Sequence, residues 1–232
     1  MACTPGLHFE IRHGLLESTM DFATWTTVGT EDAFVNALGY RPADGFLYGI
    51  GSEGGAVGGK ENHLLRIAGD GSVHDLGVVA GLPNLRTQQR FAAGTFDVNT
   101  DRLLVAHGTS LYSIDVDAKV ATPVALPSGA SPIGWGMAIS GDWLWSVTAS
   151  GIHGVNLVSQ ALVNLSLPVG VSESSFGAVW INGAGTTLFF EANASGTIYQ
   201  ATGLGGSGVN VTTVGSLPAA SQIDGASCPD VS

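Results

Sequence analysis

Residues Val35 to Ile50 read V-N-A-L-G-Y-R-P-A-D-G-F-L-Y-G-I. The small residues and aromatics on either side of Pro42-Ala43-Asp44-Gly45 describe two short strands joined by a tight turn. The first half of this pattern recurs at Ala92–Phe96, Trp135–Ile139, Phe176–Trp180 and Asp224–Cys228. Small side chains at these positions suit the innermost strand of a propeller blade, where strands crowd a central axis. Equivalent residues Tyr40, Phe96, Ile139, Trp180 and Cys228 are spaced by 56, 43, 41 and 48, which are ordinary blade periods.

Working outward, each of the first four inner strands is followed by an apolar second strand: Phe46–Ile50, Leu103–Ala106, Trp143–Val147 and Leu188–Phe190. Third strands are expected at His63–Ile67, Ser110–Asp115, Ile152–Leu157 and Thr197–Ala201. Fourth strands follow at Val73–Val79, Val120–Leu126, Leu162–Leu167 and Val209–Val214. Residues 7–29 supply three strands with no inner strand before them, and residues 222–229 supply an inner strand with nothing after it. Joined, they complete a blade, so the expectation is a single all-β domain over residues 1–232, a five-bladed β-propeller whose first blade is closed by both chain ends. The blades fall near 3–30 plus 222–229, 34–80, 91–127, 133–168 and 176–218. The competing architecture is a β-sandwich. Cys3 and Cys228 both fall in the shared blade, where a disulfide would lock the ring; the alternative is two buried free thiols.

Composition agrees with many short strands and tight turns. Charged residues are 12% of the chain, Gly numbers 34, and no window carries a sustained helical apolar period. A net charge of −11 with only Lys60 and Lys119 as lysines argues against nucleic acid, whose phosphates need a basic surface, and against an anionic membrane. No apolar run reaches the roughly 20 residues of a membrane span. Met1-Ala2-Cys3 leads straight into the domain, so a mature secreted domain behind an added Met1 is expected.

In a propeller the loops leading into the inner strands share a face with the turns after the second strands. That face is expected to carry Glu31, Asp32, Asn36, Arg86, Gln88, Gln89, Arg90, Trp135, Glu173, Ser174, Ser175, Gln222 and Asp224. Acids, amides, an arginine and an indole together suit a polyhydroxylated ligand. Asn36, Arg90, Trp135, Glu173 and Asp224 are the expected ligand contacts, with Trp135 stacking, Arg90 steering, and Asn36 and Asp224 bonding hydroxyls. The expected partner is therefore a carbohydrate or other small polar ligand, bound by a lectin-like monomer. Two alternatives stay open: a glycoside hydrolase using Asp224, Glu173 and Glu31 or Asp32 on the axis, or a protein-binding propeller. The sequence does not decide whether catalysis occurs.

Other motifs carry less. His13-Gly14 and His107-Gly108 read as turns, and the remaining histidines lack ligand spacing, so no metal or cofactor is expected. Gly49-x-Gly51-x-x-Gly54 and Gly203-x-Gly205-x-x-Gly208 open no helix, and Gly54–Lys60 is followed by Glu61 rather than Ser or Thr. The Gly51–Lys60 loop reads as a mobile flap over the mouth. Sequons occur at Asn164, Asn193 and Asn210.

The run Asn36–Ile50, the segment Ser195–Tyr199 and the terminal Asp224–Pro229 resemble a family of secreted, propeller-like domains of unknown function found in fungal secreted and bacterial surface proteins. The resemblance spans Cys3 to Pro229 and departs from the usual form at Ser131–Met137. It implies a propeller, an extracellular location and paired terminal cysteines, and brings no catalytic residues.

Overall fold

The computed structural model describes residues 3–30, 34–51, 62–85, 90–206, 208–221 and 223–229. Among these residues, twenty strands form five four-stranded antiparallel sheets arranged as a five-bladed β-propeller. The first blade runs from the axis outward as β20 (Ile223–Ser227), β1 (His8–Arg12), β2 (Leu15–Thr19) and β3 (Thr26–Thr30). The second is β4 (Val35–Arg41), β5 (Phe46–Gly51), β6 (His63–Ile67) and β7 (Val73–Val78). The third is β8 (Ala93–Asp97), β9 (Arg102–His107), β10 (Ser110–Asp115) and β11 (Val120–Val124). The fourth is β12 (Met137–Ser140), β13 (Trp143–Thr148), β14 (Gly151–Asn156) and β15 (Leu162–Leu165). The fifth is β16 (Phe176–Ile181), β17 (Thr187–Ala192), β18 (Thr197–Thr202) and β19 (Asn210–Ser216).

Both chain ends meet in the first blade, where β20 pairs with β1 from His8↔Ser227 to Arg12↔Ile223. Cys3 and Cys228 form a disulfide across this closure, 225 residues apart in sequence. Cys228 lies one residue beyond β20 rather than within it, and its backbone N–H donates to Leu7 O (2.8 Å).

Apolar side chains fill each boundary between blades, as the hydrophobic effect requires of sheets packed face to face. Phe9, Leu16, Leu38 and Leu47 join the first blade to the second. Phe22, Trp180 and Ile198 join the fifth to the first, and Trp180 Nε1 donates to Phe9 O (2.8 Å) across that boundary. Glycines let the inner strands crowd the axis. A Cβ on Gly94 would fall 1.9 Å from the carbonyl carbon of Ala37, so no other residue fits there without moving backbone.

Two ion-pair clusters also cross boundaries. Arg41 donates to Asp101 and Asp117 of the third blade (2.5–3.0 Å) and to Asp44 of its own turn (3.1 Å). Between the fifth and first blades, Arg12 bonds Glu191 and the Pro218 carbonyl and sits 2.7 Å from Glu10. Glu10, Arg12 and Glu191 are all buried. Two carboxyls facing one guanidinium have a surplus acid, and burial pushes both Glu10 and Glu191 above the usual carboxylate range.

Candidate functional site

The local sequence explains how Trp135 reaches solvent. A Cβ on Gly134 would lie 2.3 Å from Val147 O, and one on Gly136 would lie 3.0 Å from Val179 N. The Gly134-Trp135-Gly136 segment therefore threads closely between neighbouring strands. The ladder of β12 starts only at Met137, which leaves Trp135 on the rim with half its surface exposed. Arg90 reaches the same rim from the segment before β8, where His107 Nδ1 lies 3.0 Å from the Arg90 carbonyl. Asn36 is delivered by the start of β4.

These three residues line one opening together with Ala92, Gly177, Asn193, Ser221 and Ile223. The enclosed space is small, about 20 Å³, or room for about one water. Asn193 belongs to the turn after β17, and its Oδ1 is buried without a hydrogen-bond partner. Gly177 leaves room for that oxygen, since a Cβ there would lie 2.5 Å from it. Among the described residues, no hydrogen bond or ion pair engages the side chains of Asn36, Arg90 or Asn193. Buried polar groups are ordinarily satisfied. Asn193 Oδ1 departs from that rule, and it lies beside the unengaged side chains of Asn36 and Arg90 and a half-exposed indole.

Glu173 and Asp224 are placed differently from the other expected contacts. Glu173 does not line the opening; its Oε1 accepts from Ser195 Oγ (2.7 Å) on the fifth blade. Asp224 is buried beneath the rim, with Oδ2 accepting from Leu38 N and Oδ1 from Gly225 N, each at 2.8 Å. The reason is a bulge in β4 between Asn36 and Gly39, where Ala37 takes φ 57° and frees backbone amides from the ladder. The Asp224 carboxyl fills that gap, so it supports the rim rather than meeting a ligand. Burial pushes this carboxyl well above its usual range, although the Leu38 and Gly225 amides pull the other way. Glu31, Asp32, Arg86, Gln88, Gln89, Gln222 and most of the Gly51–Lys60 loop lie outside the described residues.

A larger cavity, about 150 Å³, lies at the other end of the axis, lined by the C-terminal halves of all five inner strands. Three of its polar side chains are spent locally. Asp97 accepts from Asn99 N and Thr100 Oγ1, Asn182 Oδ1 accepts from Thr186 N and Thr187 N, and Ser227 Oγ accepts from Ile181 N. Volume favours this end, whereas the buried Asn193 Oδ1 without a partner and the half-exposed indole favour the rim around Trp135.

On the fourth blade, Ser150 Oγ and Thr148 Oγ1 lie 3.1 and 3.0 Å from His153 Nε2, and His153 Nδ1 lies 2.7 Å from Asn164 Oδ1. Thr148 Oγ1 also accepts from Ser150 N (3.2 Å), so the array closes the β13–β14 hairpin, and neither cavity above borders it. The His13-Gly14 turn has positive φ at both residues, and the His107-Gly108 turn has it at Gly108. Among the described residues, no group of three or more His, Cys, Asp and Glu side chains is placed to hold a metal ion. No helix among them is long and apolar enough to cross a membrane. Of the sequon asparagines, Asn164 and Asn210 are exposed on the outer strands, whereas Asn193 is half-buried with its Oδ1 turned inward.

The sequence reading of Asn193 as a sequon alone missed its place on the rim. The available signal was its position in the turn after a second strand, on the face that carries Trp135.

A search of curated proteins finds no match to the chain. Residues 13–230 match the family described as a repeat of unknown function (DUF6923), and the chain belongs to that family.

Proposed function

We propose that this protein is a secreted, monomeric, lectin-like propeller that binds a carbohydrate at the rim around Trp135. The observation that carries the reading is the convergence of a half-exposed indole with the unengaged side chains of Asn36, Arg90 and Asn193. An indole face takes the apolar C–H face of a sugar ring, and the amides and guanidinium take its hydroxyls. The shallow opening fits recognition of one terminal sugar unit resting on the surface. Glu173 is bonded to Ser195 outside this opening and takes no part in the proposed site. Asp224 holds the β4 bulge in shape beneath it. The disulfide suits an oxidising compartment, which supports secretion.

The hydrolase reading is weaker. A glycosidase needs two carboxyls flanking one bond, and of the described candidates Asp224 is buried on backbone amides while Glu173 is engaged by Ser195. Glycan-array binding, compared with a Trp135→Ala, Arg90→Ala double variant, tests the proposal. Hits lost in the variant support it, and hits that persist there refute it.

A further inference from the structure

Trp143 and Trp145 stand two residues apart on β13, so both project from one face of the strand. Their rings stack with centroids 5.5 Å apart and planes 23° from parallel. A Cβ on Gly154 would fall 2.6 Å from Trp145 Cζ3, so the Trp145 indole lies flat over that glycine of β14. The pair forms one wall of a cleft of about 380 Å³ where the fourth blade meets the fifth. Val163 extends this wall. Gly185 and Thr186, between β16 and β17, and Gly203–Gly205, between β18 and β19, form the other. These turns belong to the end of the propeller opposite the Trp135 rim.

The cleft has two features that a plain apolar groove lacks. Two other indoles satisfy their N–H groups: partly buried Trp25 Nε1 donates to Phe22 O (3.3 Å) and buried Trp180 Nε1 to Phe9 O (2.8 Å). Neither Trp143 nor Trp145 donates to any described residue, and although Trp145 is only 4% exposed its Nε1 is not among the buried polar atoms that lack a partner, so its N–H edge faces solvent. An indole N–H at a solvent-facing edge is free to donate to an incoming oxygen. The lining also holds no charged side chain, and its one polar side chain, Thr186, accepts from Asn182 Nδ2 (3.2 Å) and keeps its own proton to donate.

We propose that this cleft is a second ligand site, for an uncharged pyranoside. Trp143, backed by the covered Trp145 ring, takes the apolar face of the sugar, and the indole N–H groups and the Thr186 hydroxyl donate to ring and exocyclic oxygens. The absence of charge in the lining selects against sugar acids and phosphorylated sugars. The volume suits a mono- or disaccharide. With the Trp135 rim at the opposite end, one chain bridges two glycans. The inference does not rest on the rim, because no residue is shared between the two sites.

The test is indole N–H NMR on ¹⁵N-labelled protein, with signals assigned by single-Trp substitutions. The titrants are neutral methyl pyranosides and disaccharides, with glucuronate and phenol as contrasting probes. The expected result is a saturable shift of the Trp143 and Trp145 signals, with Trp25 and Trp180 unmoved. That shift is retained in Trp135→Ala, lost for Trp145 in Trp143→Ala, and weakened in Thr186→Val. The proposal is overturned if neither signal moves with any neutral pyranoside up to about 100 mM, beyond which affinity has no weight. It is also overturned if only phenol moves them, or if the Trp145 shift survives Trp143→Ala. The Trp135 signal reports on the rim separately, so failure at either site is read independently.

Discussion

Breaking the Cys3–Cys228 disulfide perturbs the closure of the ring with a calculable size. The bond links residues 225 apart, nearly the whole chain. In the chain-entropy view, a cross-link of that span stabilises by about 5 kcal/mol, because the unlinked unfolded chain gains all the freedom the loop denied it. For a domain of 232 residues, each kcal/mol moves the melting temperature by roughly 2–4 °C, so the expected fall is about 10–20 °C. The native contacts that seat β20 against β1 survive the change, so the reduced protein stays folded at 25 °C. The assay is thermal unfolding of a Cys3→Ala, Cys228→Ala variant beside the oxidised and the reduced wild-type protein. A fall below about 2 °C would refute the reasoning, since it would mean that the unfolded chain gains little from release of the loop or that the native bond carries offsetting cost.

Other expectations follow from buried groups and close approaches. Glu10 has its pKa raised above the unfolded value of 4.5, so its contribution is present below that value and is lost as pH rises through the folded pKa. Glu10→Gln mimics the protonated acid, so its melting temperature relative to wild type should increase between pH 5 and pH 8.5; a flat or falling difference contradicts a pKa raised by burial. His8 has the opposite sign. Burial holds it at about 4 against 6.5, so its contribution is present above 6.5 and is lost as pH falls toward 4, and a His8→Gln variant should lack that acid-side loss. Gly94→Ala drives a Cβ into the Ala37 backbone and should cost at least the roughly 3 kcal/mol at the upper end of overpacking. Gly205→Ala, with nothing within 4 Å, should stay within about 0.5 kcal/mol in the same denaturant titration.

The propeller was legible because its signals are local and repeated. The Pro42–Gly45 turn, the small-residue inner strands and their spacing all report short-range geometry, and the unpaired first and last segments force closure in one blade. Side-chain placement on the axis was less legible. Every residue of β4 is buried, so the in-and-out alternation that tells faces apart is absent there. The bulge at Ala37 that captures Asp224 has no signature in an Asn-Ala-Leu-Gly run, and the capture joins residues 186 apart. The Glu10–Arg12–Glu191 cluster was hidden for the same reason, since β1 and β17 are brought together only by ring closure. The Trp143-x-Trp145 spacing was the one overlooked local signal, because period two in a strand already places both indoles on one face.

The central claim is that the Trp135 rim recognises carbohydrate, and a glycan array of the oxidised protein beside the Trp135→Ala, Arg90→Ala variant tests it most directly. Both side chains lie on the rim without a described hydrogen-bond partner, so the variant should keep its fold. The account predicts a defined set of glycans whose binding falls at least tenfold in the variant, about 1.4 kcal/mol or more. An array with no hits, or hits of unchanged strength in the variant, would contradict it.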